Sequence, residues 1–139
     1  MEIRVYQTYN EAEILNLYQS VGWTAYTKDP AALQAGFHGS LLTLAAYEKT
    51  ELLGLIRTVG DGQTIVYIQD LLVLPAYQRR GIGTALVRAV LARFPSVRQI
   101  VLTTDDSPVK DWRTSQAAFS ISALKIPTPK EKWKARQKV

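Results

Sequence analysis

Residues 78–83, Gln-Arg-Arg-Gly-Ile-Gly, combine types and spacing that suit them to holding an anion. Gly81 and Gly83 lack a Cβ, so a ligand can approach the backbone closely there. Ile82, Ala85, Leu86, Ala89 and Val90 then recur at helical spacing, which makes the glycines the opening of a helix. The first turn of an α-helix leaves amide N–H groups without partners inside the helix, and the positive end of the helix dipole stands behind them. Phosphate and pyrophosphate bind well at such a place. Arg79 and Arg80 add positive charge at its rim. The plainer reading is a tight turn at Gly81, a close helix–sheet contact at Gly83 and two solvated arginines.

The segment must be presented by what precedes it. Residues 64–73 are rich in Ile, Val, Tyr and Leu, as a central strand is. Tyr67 and Asp70 lie late on it, and a loop over residues 74–80 leads to the helix. A nucleotide-binding loop of the Gly-Lys-Ser/Thr type is absent. A dinucleotide fingerprint fails as well, because Leu86 stands at its third glycine position and the strand belongs to a meander. Gln78-x-x-Gly81-x-Gly83 instead resembles the Gln/Arg-x-x-Gly-x-Gly/Ala signature of the GNAT superfamily of acetyltransferases. Leu71, Leu72, Val73 and Pro75 are similar to that family too, as is the element order over roughly residues 2–106.

The resemblance implies acetyl-coenzyme A as co-substrate and no metal. The pyrophosphate would sit on the backbone of Arg79, Arg80, Gly81, Ile82, Gly83 and Thr84, with Gln78 supporting the loop. The pantetheine arm would pair like an added strand with Leu71, Leu72 and Val73, where the family's fourth and fifth strands splay apart. An amide at Leu72 or Val73 would polarise the thioester carbonyl. Attack by an amine needs that amine neutral, so a group must take its proton. Asp70 and Tyr67 are the candidates, against plainer roles in binding loop amides and packing the core. The family's acid, a tyrosine on a later helix, has no counterpart, because Arg113 falls where it is expected and the neighbouring Gly-Phe is missing. Trp23, Tyr26 and His38 lie in the early helical region that lines the family's acceptor site. Packing and solvent exposure are their plainer readings.

The expected function is N-acetyl transfer from acetyl-CoA to a primary amine, on a small molecule or a peptide. The alternative is a catalytically weak acyl-CoA-binding or regulatory protein that lacks the usual acid. The expected fold is α/β, of the GNAT-like acyl-CoA N-acyltransferase type, with a mixed, mostly antiparallel sheet, about four helices and an atypical C-terminal end.

The supporting elements read as follows. Residues 2–7 form a strand; Asn10 caps a helix, Glu13 completes a capping box, and Gly22 stops it. Asp29-Pro30 opens a second helix ending near Gly36. Residues 41–47, 52–59 and 64–73 form the meander, residues 81–94 a helix and residues 99–103 a fifth strand. Ser107-Pro108 starts another helix. Residues 119–126 offer a sixth strand, and after Pro127-Thr128-Pro129 no seventh is expected. The chain therefore divides into a domain at 1–126 and a basic tail at 127–139.

Composition fits this reading. The chain has 139 residues, 47% of them hydrophobic and 21% charged, enough for a single-domain core. With no cysteine and only His38, thiolate metal sites, disulfides and multi-histidine zinc sites are excluded. The net charge of +5 arises wholly from residue 125 onward, so the folded body is neutral and nucleic acid is not the expected partner. No signal region or membrane span is visible, so a cytoplasmic location is expected, and a homodimer is compatible with the sequence.

Overall fold

A computed structural model describes residues 1–103 and two further strands, Ala123–Ile126 and Arg136–Lys138. Strand β1 (Glu2–Val5) leads to helix α1 (Glu11–Ser20), a single turn α2 (Thr24–Thr27) and helix α3 (Pro30–His38). The meander is β2 (Leu42–Glu48), β3 (Glu51–Gly60) and β4 (Ile65–Val73). Helix α4 (Ile82–Arg93) and strand β5 (Gln99–Thr103) follow, then β6 (Ala123–Ile126) and β7 (Arg136–Lys138). The strands lie in chain order in one sheet; only β4 and β5 pair in parallel, as a connection through a helix requires.

The helix caps work as local chemistry demands. Asn10 accepts the Glu13 amide at 3.2 Å. The return half of the expected capping box is relayed: Glu13 accepts from the Tyr6 hydroxyl, and that hydroxyl accepts the Asn10 amide. Asp29 accepts the Ala32 amide, with Pro30 in the first turn. Helix α3 runs two residues past Gly36, its expected end, to His38. A Cβ on Gly36 would stand 3.4 Å from Arg57 Nη1, and the Gly36 carbonyl accepts from that nitrogen, so the glycine makes room for an arginine. The short α2 was not expected; Trp23 precedes it without capping it.

Two cores sandwich the sheet. On one face Ile82, Leu86, Val87, Val90 and Leu91 of α4 pack on Leu44, Ile56, Val66, Ile68, Leu71, Val73, Ile100 and Leu102. On the other, Ile14, Leu17 and Tyr18 of α1 and Leu33 and Phe37 of α3 pack on Ala45, Leu52, Leu55 and Leu72. The seventh strand corrects the expectation that none would form: Arg136–Lys138 pairs antiparallel with β6. An edge strand of three polar residues is held by its backbone ladder, which leaves no apolar alternation to read, and charge suits an edge. The helix expected from Ser107-Pro108 lies outside the described residues. Among the described residues, no helix is long and apolar enough to cross a membrane.

Candidate functional site

Strand β4 changes partners along its length. It pairs with β5 from Ile65 opposite Gln99 to Ile68 opposite Leu102, and its pairing with β3 continues to Val73 opposite Gly54. Among the described residues, β3 is therefore the only partner of residues 69–73, and their other edge is open. The register explains the change. Arg57 pairs with Asp70 but Thr58 pairs with Ile68, so Gln69 is an extra residue, a β-bulge. A bulge bends its strand and sharpens the twist. It also switches the alternation: Val66 and Ile68 face α4, and so do Leu71 and Val73. Gln69 and Asp70 consequently share the opposite face, where Gln69 Nε2 donates to the Tyr26 hydroxyl and Asp70 accepts from Tyr18. Strand alternation puts Tyr67, half-buried between Val59 and Val101, on that face as well.

The loop after β4 is built to present backbone. Leu74 N–H donates to Leu53 O, and residues Pro75–Tyr77 form a 3₁₀ turn. Gln78 folds back, and its Nε2 donates to the Val73 carbonyl at 3.0 Å, tying the loop to the end of the open edge. Arg79 (φ 67°) and Gly81 (φ 80°) both take the left-handed conformation, with Arg80 between them. Such alternation turns successive N–H groups into a concave anion nest. The Gly81 carbonyl accepts the Ala85 amide at 3.0 Å, and no side chain caps α4. The Ile82 and Gly83 amides thus have no partner inside the helix.

Packing does not account for the glycines at both positions. A Cβ on Gly83 would only touch Val73 Cγ2 at 3.9 Å, an ordinary contact, so the protein's own atoms do not demand glycine there. Gly81 is required by its φ, and a Cβ there would meet nothing within 4 Å. Space in front of a helix mouth that side chains would otherwise fill is what close approach by a phosphate needs. Arg79 and Arg80 are exposed at the rim. The Arg80 guanidinium lies 5.3 Å from the centre of the Tyr77 ring, whose hydroxyl donates to Glu51.

On the α1–α3 face, Asp70 is fully buried. Its Oδ2 accepts from Tyr18 Oη and from Arg57 Nε, both at 2.7 Å, while Oδ1 has no hydrogen-bond partner among the described residues. Burial pushes the Tyr18 hydroxyl well above its ordinary pKa, and the Asp70 charge pushes it the same way. Burial works against the Arg57 charge, but the Asp70 carboxylate overrides it and leaves the guanidinium more firmly protonated than usual. Tyr18, Trp23 and Tyr26 form an aromatic cluster over this pair; Trp23 stacks on Tyr26 with centroids 5.7 Å apart. Beside the cluster opens a cleft of about 310 Å³, lined by Ala25, Tyr26, Asp29, Ala32, Leu33, Gly36 and Arg57. The cleft and the bulge meet at Tyr26, which lines the one and bonds Gln69 of the other.

The structure therefore brings Leu71, Leu72, Val73, Gln78, Gly81, Ile82 and Gly83 into one continuous strip, with Asp70 and Tyr67 on the reverse side of the same strand. Tyr26 joins the cleft, Trp23 stacks behind it, and His38 stands exposed in the last turn of α3. Sequence reading missed Tyr18, Arg57 and Gln69. The one available signal was Arg57, a lone charge inside an otherwise apolar strand.

Comparison with known proteins points the same way. Residues 5–111 match the family model described as the acetyltransferase (GNAT) family. A solved GNAT-family acetyltransferase of Streptococcus pneumoniae is 37% identical, with a TM-score of 0.69 over 78% of this chain and 79% of that one. A GNAT-family acetyltransferase of Brucella melitensis, solved with acetyl-CoA, is 28% identical, with a TM-score of 0.60 over 78% and 79%. A Gibberella zeae protein assigned to the acetyltransferases is 28% identical over 59% of this chain, which spans about half (52%) of that relative's length.

Proposed function

Since the chain belongs to the GNAT acetyltransferases, we propose that it transfers acetyl from acetyl-CoA to a primary amine, on a small molecule or a peptide. One observation carries the reading. The β4 edge left open by β5 over residues 69–73 runs directly into the uncapped, glycine-bearing mouth of α4. An extended pantetheine arm and a diphosphate need those two features end to end, and a Cβ on Gly81 would meet nothing within 4 Å, which supports close approach there.

Acetyl-CoA supplies an activated acetyl thioester; the chain's own residues do the rest. The backbone from Arg79 to Thr84 holds the diphosphate, and Gln78 keeps that loop against Val73. The edge at Leu71, Leu72 and Val73 aligns the arm, and an amide at Leu72 or Val73 polarises the carbonyl. The amine enters from the α1–α3 face, where the bulge has turned Gln69 and Asp70 together. Asp70 and Tyr67 stand on the proton-accepting side. Asp70 offers only Oδ1, since Oδ2 is engaged twice, and Oδ1 is buried, so only a group that enters this face can reach it.

Arg113 in place of the family tyrosine supports a second reading, an acyl-CoA-binding protein with weak or no transfer activity. Calorimetry with coenzyme A and thiol release from acetyl-CoA across an amine library separate the two. Binding with release supports transfer, binding without release supports the second reading, and no binding ends both.

A further inference from the structure

The cleft on the α1–α3 face has its own charge pattern. Ala25, Ala32 and Leu33 give it apolar walls, and Tyr26 lends an aromatic face. Two charged residues line it. Arg57 is buried and so marks the inner end; Asp29 is exposed and so marks the mouth. The Arg57 charge is already met: Nε donates to Asp70, and Nη1 donates to the Gly36 carbonyl and to Ser40 Oγ. Asp29 uses Oδ1 to cap α3, and no ion pair reaches it among the described residues. The charge of the cleft that has no ion-pair partner among the described residues is therefore negative, and it sits at the exposed cap of α3. Tyr26, which lines the cleft, accepts from Gln69 Nε2, and Gln69 is where the open edge begins.

We propose that the acceptor is a linear aliphatic diamine. Its methylene chain lies along Ala25, Ala32 and Leu33, its outer ammonium pairs with Asp29, and its inner nitrogen is the one acetylated beside Gln69. An ammonium against a carboxylate with an aromatic face nearby is a favourable environment for such a cation. In the transfer the inner nitrogen, once neutral, forms the bond to the acetyl carbon. The carbon–sulfur bond breaks, the sulfur leaves with the electron pair as thiolate, and the proton lost by nitrogen ends on the thiol. This assignment rests on the acetyl-transfer reading above.

Asp29→Asn is the discriminating variant, because asparagine caps a helix as well as aspartate and only the charge is removed. The assay compares putrescine with n-butylamine and γ-aminobutyrate, following thiol release, and calorimetry measures putrescine binding without any acyl donor. In the wild type putrescine is expected to be the best of the three acceptors. In Asp29→Asn its KM rises about five-fold, the size of a partly exposed ion pair, with kcat held and the n-butylamine KM spared. Putrescine that turns over no better than n-butylamine, or whose KM ignores Asp29, overturns the diamine assignment and leaves acetyl transfer standing. A preference for γ-aminobutyrate also overturns it, in favour of anion recognition by Arg57. Putrescine that binds the wild type, loses affinity in Asp29→Asn and is never acetylated supports a cation site in the cleft but overturns the acceptor assignment, and the transfer reading falls only if no amine of the library releases thiol.

Discussion

Replacing Gly81 separates strain from charge at the proposed diphosphate site. Gly81 has φ 80°, so any L-residue there pays about 1–2 kcal/mol of left-handed strain. Gly81→Ala adds only that, because its Cβ meets nothing within 4 Å. A loss of about 1 kcal/mol in a domain of this size lowers Tm by about 3–5 °C. Gly81→Glu carries the same strain plus a carboxylate in front of the α4 mouth. Two like charges about 6 Å apart, at an effective dielectric of about 20, repel by roughly 3 kcal/mol, and solvent and salt reduce this to about half at an exposed position. Coenzyme A affinity should therefore fall by roughly ten- to hundred-fold from Gly81→Ala to Gly81→Glu, with similar Tm values. Calorimetry at low and high salt reads the difference, which should shrink as salt rises. Equal affinities for the two variants at low salt would falsify an anion site at this helix mouth.

Other perturbations reach different parts of the molecule. Asp70→Ala strands Arg57 as a buried charge and should cost about 3–5 kcal/mol in urea denaturation, while the paired change Arg57→Met with Asp70→Leu should cost less; a single-variant loss below about 1 kcal/mol would contradict the geometry. Gly54→Ala places a Cβ 2.8 Å from the Leu72 carbonyl, so it should destabilise by about 1–3 kcal/mol and, by shifting the open edge, weaken coenzyme A binding as well. Asp61 accepts hydrogen bonds from Gln63, Thr64 and Ile65, the Thr64 hydroxyl foremost, and these hold its pKa well below the ordinary 3.8. A depressed carboxylate stabilises the fold above its unfolded pKa and loses that as pH falls towards the folded one. Stability should thus decline below about pH 4, and Asp61→Asn should flatten part of that decline in urea midpoints. Deleting residues 127–139 removes β7, which pairs with β6 at the sheet edge, and should leave coenzyme A affinity nearly unchanged by calorimetry.

Apart from the single turn α2, the elements up to β5 were legible because their signals are local. Asn10 and Asp29-Pro30 announce helix starts, alternation announces strands, and Gln78, Gly81 and Gly83 mark a ligand loop. The acceptor face was hidden because its signals are not local. Nothing in the string says that Gln69 is an extra residue, since a bulge is defined only against a partner strand. Without it Asp70 would follow Ile68 onto the α4 face, far from Tyr18 and Arg57. Tyr18 was read as one more position on an apolar stripe, and its hydroxyl partner lies 52 residues away. Gly36 looked like a helix end because the arginine that needs its space comes from β3. The last strand escaped notice because three polar residues at an edge leave no pattern.

The short contact between β4 and β5 has a mechanical consequence. The sheet falls into two blocks, β1 to β4 and β5 to β7, sewn together along a seam of four residue pairs, from Ile65–Gln99 to Ile68–Leu102. The β3–β4 pairing beside it runs the length of the strand. Helix α4 packs on strands of both blocks and bridges that seam, and a rod laid in the gap beyond it acts as a wedge that sets the angle between the blocks.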